Sequence, residues 1–155
     1  MKYLFFLPFI LAAYVSNSQK REFVSDRSTA FIYFANAPEK RIAIPLKTAK
    51  WFTYTTIDIV PADSSEGVEE CYVGLKEGFS FWHSARKGDS WVGTGALNIN
   101  NRTVNATSTM NAYEVEEGLN RVDLKVNVEK KHLEKHCRNK LGDAVLVFEL
   151  YFRSR

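Results

Sequence analysis

The chain has 155 residues, with 21 lysines and arginines against 18 aspartates and glutamates, for a formal net charge of +3. Its 45% hydrophobic and 25% charged content is that of an ordinary globular domain, and 14% aromatic residues supply a core, which excludes a chiefly disordered chain. So small a net charge also gives nucleic acid no general electrostatic footing.

The first residues read as a targeting device. Lys2 precedes an apolar run from Tyr3 to Val15, broken only by Pro8, and Ser16-Asn17-Ser18 places small residues where a signal peptidase cuts. The run is too short for the roughly 20 apolar residues that cross a bilayer as a helix, and no later stretch is apolar enough. The expectation is a signal peptide over 1–18, cleavage before Gln19, one domain over 19–155, a secreted extracellular location and no transmembrane segment in the mature chain.

Beyond residue 19 the recurring signal is period two, the mark of strands. Thr29–Ala35 is apolar on both faces and predicts a covered or central strand. Arg41–Leu46 contains Pro45, which removes a backbone donor and predicts an edge strand or bulge. Trp51–Val60, Glu70–Leu75, Phe79–His83, Ser90–Ile99 and Thr109–Val115 are rich in β-branched and aromatic residues. Val122, Leu124, Val126 and Val128 alternate with Asp123, Lys125, Asn127 and Glu129, a half-buried strand with one wet face. Ala144–Phe152 is again apolar on both faces. Between the last two, Glu129–Lys140 lacks β-branched residues and sets Leu133 and Cys137 four apart, which predicts a short helix or helical turn ending near Gly142. The fold class is therefore all-β, an antiparallel β-sandwich of about nine short strands with one short helix near 129–140, the alternative being a β-barrel.

The secretory context gives three features meaning. Cys71 and Cys137 allow a single intramolecular disulfide. Asn101-Arg102-Thr103 and Asn105-Ala106-Thr107 are N-glycosylation acceptors in what reads as a surface loop over 100–107. Acidic Asp63, Glu66, Glu69 and Glu70 precede Cys71, whereas Lys130, Lys131, Lys135, Arg138 and Lys140 surround Cys137, so a disulfide would bring opposite charges together and neutralise the basic run as a polyanion site.

Motifs for catalysis are missing: there is no G-x-S-x-G elbow, phosphate-binding loop or H-E-x-x-H, and Gly93-Thr94-Gly95 lacks the third glycine of a dinucleotide site. His132 and His136 stand four apart, but the surrounding lysines repel a cation and no third ligand is evident, so no metal site and no cofactor is expected. The remaining candidate site is aromatic. Phe79–His83 and Ser90–Val92 flank the polar stretch 84–89, read as a hairpin loop. If Trp82 and Trp91 faced outward together they would form a stacking platform, with His83, Arg86 and Asp89 as polar contacts; the competing expectation places both tryptophans in the core.

Cys71, Trp82 eleven residues later, the strand Val122–Val128 and Cys137 follow an order that resembles the immunoglobulin fold. Lys135 stands where that fold has a tyrosine, the residues before Cys137 are not strand-like, and the strands before residue 55 have no place in one such domain. A lipocalin would need a Gly-x-Trp near the mature N-terminus, which the chain lacks, so no family is assigned. The function expected is a secreted recognition module for an extracellular protein or glycan, without catalysis. The alternative is a carrier holding a small apolar ligand in a barrel cavity.

Overall fold

The computed structural model describes residues 20–53, 55–62, 64–68, 71–133 and 141–155, and only the backbone of 64–68 and 71–73. Eleven strands account for most of it: β1 (Arg21–Phe23), β2 (Thr29–Phe34), β3 (Ala37–Ala43), β4 (Leu46–Trp51), β5 (Thr56–Pro61), β6 (Ser64–Val68), β7 (Cys71–Lys87), β8 (Ser90–Ile99), β9 (Arg102–Glu116), β10 (Leu119–Val128) and β11 (Ala144–Ser154). All pair antiparallel in a single sheet ordered β3-β2-β11-β10-β9-β8-β7-β5-β4, with β1 added to β11 and β6 to β7. The sheet is not closed into a hydrogen-bonded ring. No helix among the described residues is long and apolar enough to cross a membrane.

Alternation along each strand sets which side faces the core. In β10, Val122, Leu124, Val126 and Val128 are buried while Asp123, Lys125 and Asn127 point the other way, as the period-two pattern requires. Ala144, Leu146, Phe148, Leu150 and Phe152 of β11 share the buried face, and β11 is central, flanked by β2 and β10, which explains why its sequence is apolar on both sides. The sheet curls so that its two ends meet across this inner face. Trp51 of β4 lies with its ring centroid 5.7 Å from Phe152, and Phe79 of β7 lies 6.0 Å from Phe148. Where β1 and β4 approach, Arg21 stacks on Trp51 at 3.8 Å and donates to its carbonyl oxygen at 3.4 Å, so the margins are joined by side chains rather than by a backbone ladder.

Several expected boundaries move. Arg41–Leu46 is not one strand: the chain breaks at Ile44–Pro45, β3 ends at Ala43 on a sheet margin, and the Pro45 carbonyl accepts the Ala62 amide. Trp51–Val60 likewise divides at a turn, where Phe52 donates its amide to Thr56 and the Thr53 and Thr55 hydroxyls bond each other. Glu70–Leu75 and Phe79–His83, in contrast, are one strand, β7, whose register shifts between Lys76 and Ser80 around Glu77 in the left-handed region. Residues 100–107 are not a loop. Only Asn100 and Asn101 form the turn, both with positive φ, and β9 begins at Arg102. Over the predicted helix, Lys130–His132 make a single 3-10 turn capped onto Asp143, and 134–140 lie outside the described residues.

The signal segment 1–18 and Cys137 also lie outside the described residues, as do Asp63, Glu69 and Glu70. The immunoglobulin-like order is not reflected in the architecture. Its buried tryptophan would be Trp82, which is 63% exposed, and two separate sheets are replaced by one continuous path.

Candidate functional site

The five residues singled out from the sequence sit on the β7–β8 hairpin but do not converge. The strands run to Lys87 and resume at Ser90, leaving a two-residue turn of Gly88 and Asp89 in place of the expected loop over 84–89; Gly88 has φ +62°, where a side chain is strained. Asp89 is therefore exposed at the turn. Trp82 pairs with Thr94 and faces out, whereas Trp91 pairs with Met110, which is fully buried, and packs half-buried against the core. The two tryptophans are on opposite faces, so the joint stacking platform does not form. A register shift between His83 and Ala85 turns Arg86 onto the side of Trp91, and its guanidinium sits 5.3 Å from that indole.

His83 is fully buried. Its Nδ1 bonds the Thr55 carbonyl at 3.0 Å and its Nε2 bonds Ser108 Oγ at 2.9 Å. Because a carbonyl only accepts, Nδ1 carries the proton, and Nε2 accepts from the serine hydroxyl. The geometry depends on Gly93, which lies between His83 and Ser108 in the cross-strand row. A Cβ there would collide with the backbone of Trp82 and His83, and without one the imidazole spans β8 to reach β9, roughly 10 Å from its own strand. Burial lowers the His83 pKa, with the Thr55 bond opposing, so the ring is neutral. A serine bonded to an oriented histidine has the components of a nucleophile and base. Here Ser108 is only 3% exposed on the packed face, and the pair serves as a polar bridge tying β7 to β9 and to the turn before β5.

The opposite, outer face has no such packing. Along β9 the outward residues are Thr103, Asn105, Thr107, Thr109 and Asn111, and they form the floor of a trough. Its middle, a hollow of about 550 Å³, is bounded by Ser84 and Ala85 of β7, Thr94 of β8, and Lys125 and Asn127 of β10. A hollow of about 360 Å³ adjoins it across Thr94 and Thr107 toward Asn105, Glu129 and His132, and one of about 280 Å³ adjoins it across Thr109 and Lys125. Both ends are closed by internally paired charges: Arg121 with Asp123 and Glu149 at 2.8 and 3.1 Å, and Lys131 with Glu129 at 3.2 Å. The middle sets hydroxyl and amide groups among apolar surface that includes Ala85 and Val92, with Lys125 as its one cation among the lining residues. Trp82 stands at the head of the row Trp82–Thr94–Thr107–Asn127 that crosses the trough.

No family model matches the chain, and no curated protein matches its sequence.

Of this site, sequence reasoning found Trp82 and missed the trough. The signal was the unbroken alternation of Thr and Asn with Val104, Ala106, Ser108 and Met110, concealed because small and polar residues read as loop. Asn101 and Asn105 are both exposed, but Asn101 is on the turn and Asn105 is on the trough floor, opposite Ala96.

Proposed function

We propose that the protein is a secreted recognition module that binds a neutral glycan in the outer trough, without catalysis. The observation that carries this is the row Trp82–Thr94–Thr107–Asn127: an exposed indole for a sugar face, followed by hydroxyl and amide groups with no net charge. Carriage of an apolar ligand is less well supported, because the inner face that would line a barrel cavity is occupied by Phe34, Phe81, Phe148 and Phe152, each at most 1% exposed. That filling also favours a sandwich-like packing of the curled sheet over an open barrel.

Secretion places a disulfide between Cys71, at the start of β7, and Cys137. It places the N-glycan on Asn101, where it leaves the trough open. Glycosidase treatment of protein secreted from a eukaryotic host should reduce its mass, and Asn101→Gln should remove that shift. The binding test is a panel of immobilised neutral oligosaccharides. Trp82→Ala should weaken capture about tenfold or more with an unchanged melting midpoint, since one aromatic stacking contact contributes on the order of 1 kcal/mol and more. Absence of any capture, or capture undiminished in Trp82→Ala, would reject the glycan reading.

A further inference from the structure

The seam where β1 meets β4 carries an open hollow of about 700 Å³ that the trough does not touch. Its lining is unlike the trough's: the side chains of Lys20, Arg21, Lys50 and Arg155 against one side-chain carboxylate, Glu22, with Trp51 and Phe52 as the apolar walls. Glu22 is already engaged, since Arg155 donates to its Oε2 through Nε at 3.0 Å and Nη2 at 2.8 Å. Asp58, opposite Lys50 in the β4–β5 register, accepts from Ser80. Among the described residues, neither Lys20 nor Lys50 has an ion-pair partner, and the two come from opposite margins of the sheet. Phe52 is 56% exposed beside them, and the Arg21–Trp51 stack fixes the indole at the back.

We propose that this seam binds an oxyanion, a sulfate or carboxylate, carried on a ring with an apolar face. The ammonium groups of Lys20 and Lys50 take the oxyanion from both sides, and the ring lies against Phe52. A ligand held in this way bridges two strands that share no backbone ladder, so it binds the folded chain selectively and raises its melting temperature. The site is independent of the glycan proposal.

The test is thermal unfolding of the purified protein at constant ionic strength with three probes: benzenesulfonate, glucosamine 6-sulfate and inorganic sulfate, with chloride as the reference salt. Either ring-borne probe should raise the midpoint by about 5 °C at a tenfold excess over its Kd. Response to benzenesulfonate alone identifies an aromatic acid, and response to the sulfated sugar identifies an acidic saccharide; both support the site. Lys50→Glu should weaken the effect about tenfold, Phe52→Ser should reduce it for the ring-borne probes, and Trp82→Ala should leave it intact. No shift with either ring-borne probe, a shift of equal size with inorganic sulfate, or a response that survives both Lys50→Glu and Phe52→Ser would overturn the proposal.

Discussion

Strands β8, β9 and β10 present two faces built on one backbone, and the faces differ in what a side chain there is for. On the inner face Leu97, Met110, Leu124 and Val126 are at most 2% exposed and fill a shared core. On the outer face Thr94, Thr107, Thr109, Lys125 and Asn127 stand on the same strands, one residue away, around an open trough. Because neighbouring residues point to opposite sides, substitutions at adjacent positions should separate stability from binding.

The sharpest form of that contrast is Leu124 against Lys125. Leu124→Asp buries an unpaired charge and should abolish folding, seen as loss of soluble protein, whereas Lys125→Asp should leave the melting midpoint nearly unchanged. Equal effects at the two positions would mean that the faces are misassigned. Next in size is Phe148→Ala, which removes a fully buried ring touching Phe79 and should cost about 3–5 kcal/mol in denaturant unfolding.

The polar bridge on the inner face gives a smaller effect with a distinctive signature. Ser108→Ala leaves His83 Nε2 buried without its donor and should cost about 1–3 kcal/mol. The folded pKa of His83 is depressed, so below the ordinary histidine value of 6.5 the unfolded chain binds a proton that the folded chain refuses. Its contribution to stability is full above pH 6.5 and is lost as pH falls from there toward the folded pKa, with a slope approaching about 1.4 kcal/mol per pH unit. His83→Gln should flatten that slope in urea unfolding measured from pH 7.5 to 5. The smallest expected effect is Thr94→Val on the outer face, neutral to stability within about 0.5 kcal/mol yet weakening glycan capture.

The inner face was far more legible in the sequence than the outer. Val122–Val128 and Ala144–Phe152 were read correctly because large apolar residues at period two leave few alternatives. β9 was misread in its first half because Val104, Ala106 and Ser108 are small inward residues among Asn and Thr, so a strand resembled a turn. β1 and β6 are too short to carry a pattern at all, and β6 is mostly serine and glycine. The paired placement of Trp82 and Trp91 failed for a geometric reason. The register shift at Ser84 changes the side on which residues after it emerge, and no local composition announces such a shift. The His83–Ser108 bridge was out of reach because it depends on Gly93, between them in space, having no side chain.

The order of the strands also has a consequence for synthesis. From Cys71 to Ser154 each strand pairs with its neighbour in sequence, so β7 through β11 can assemble as successive hairpins while the chain is still emerging. β2 is different. It pairs with β3 on one side, but its other partner is β11, most of the chain away, and until Ala144–Glu149 has been made the apolar strand Thr29–Phe34 has neither its central neighbour nor a core to enter. The first substantial strand to leave the ribosome is thus among the last to be seated. During that interval it is an exposed, edge-forming hydrophobic segment of the kind that chaperones cover and that aggregates when they do not.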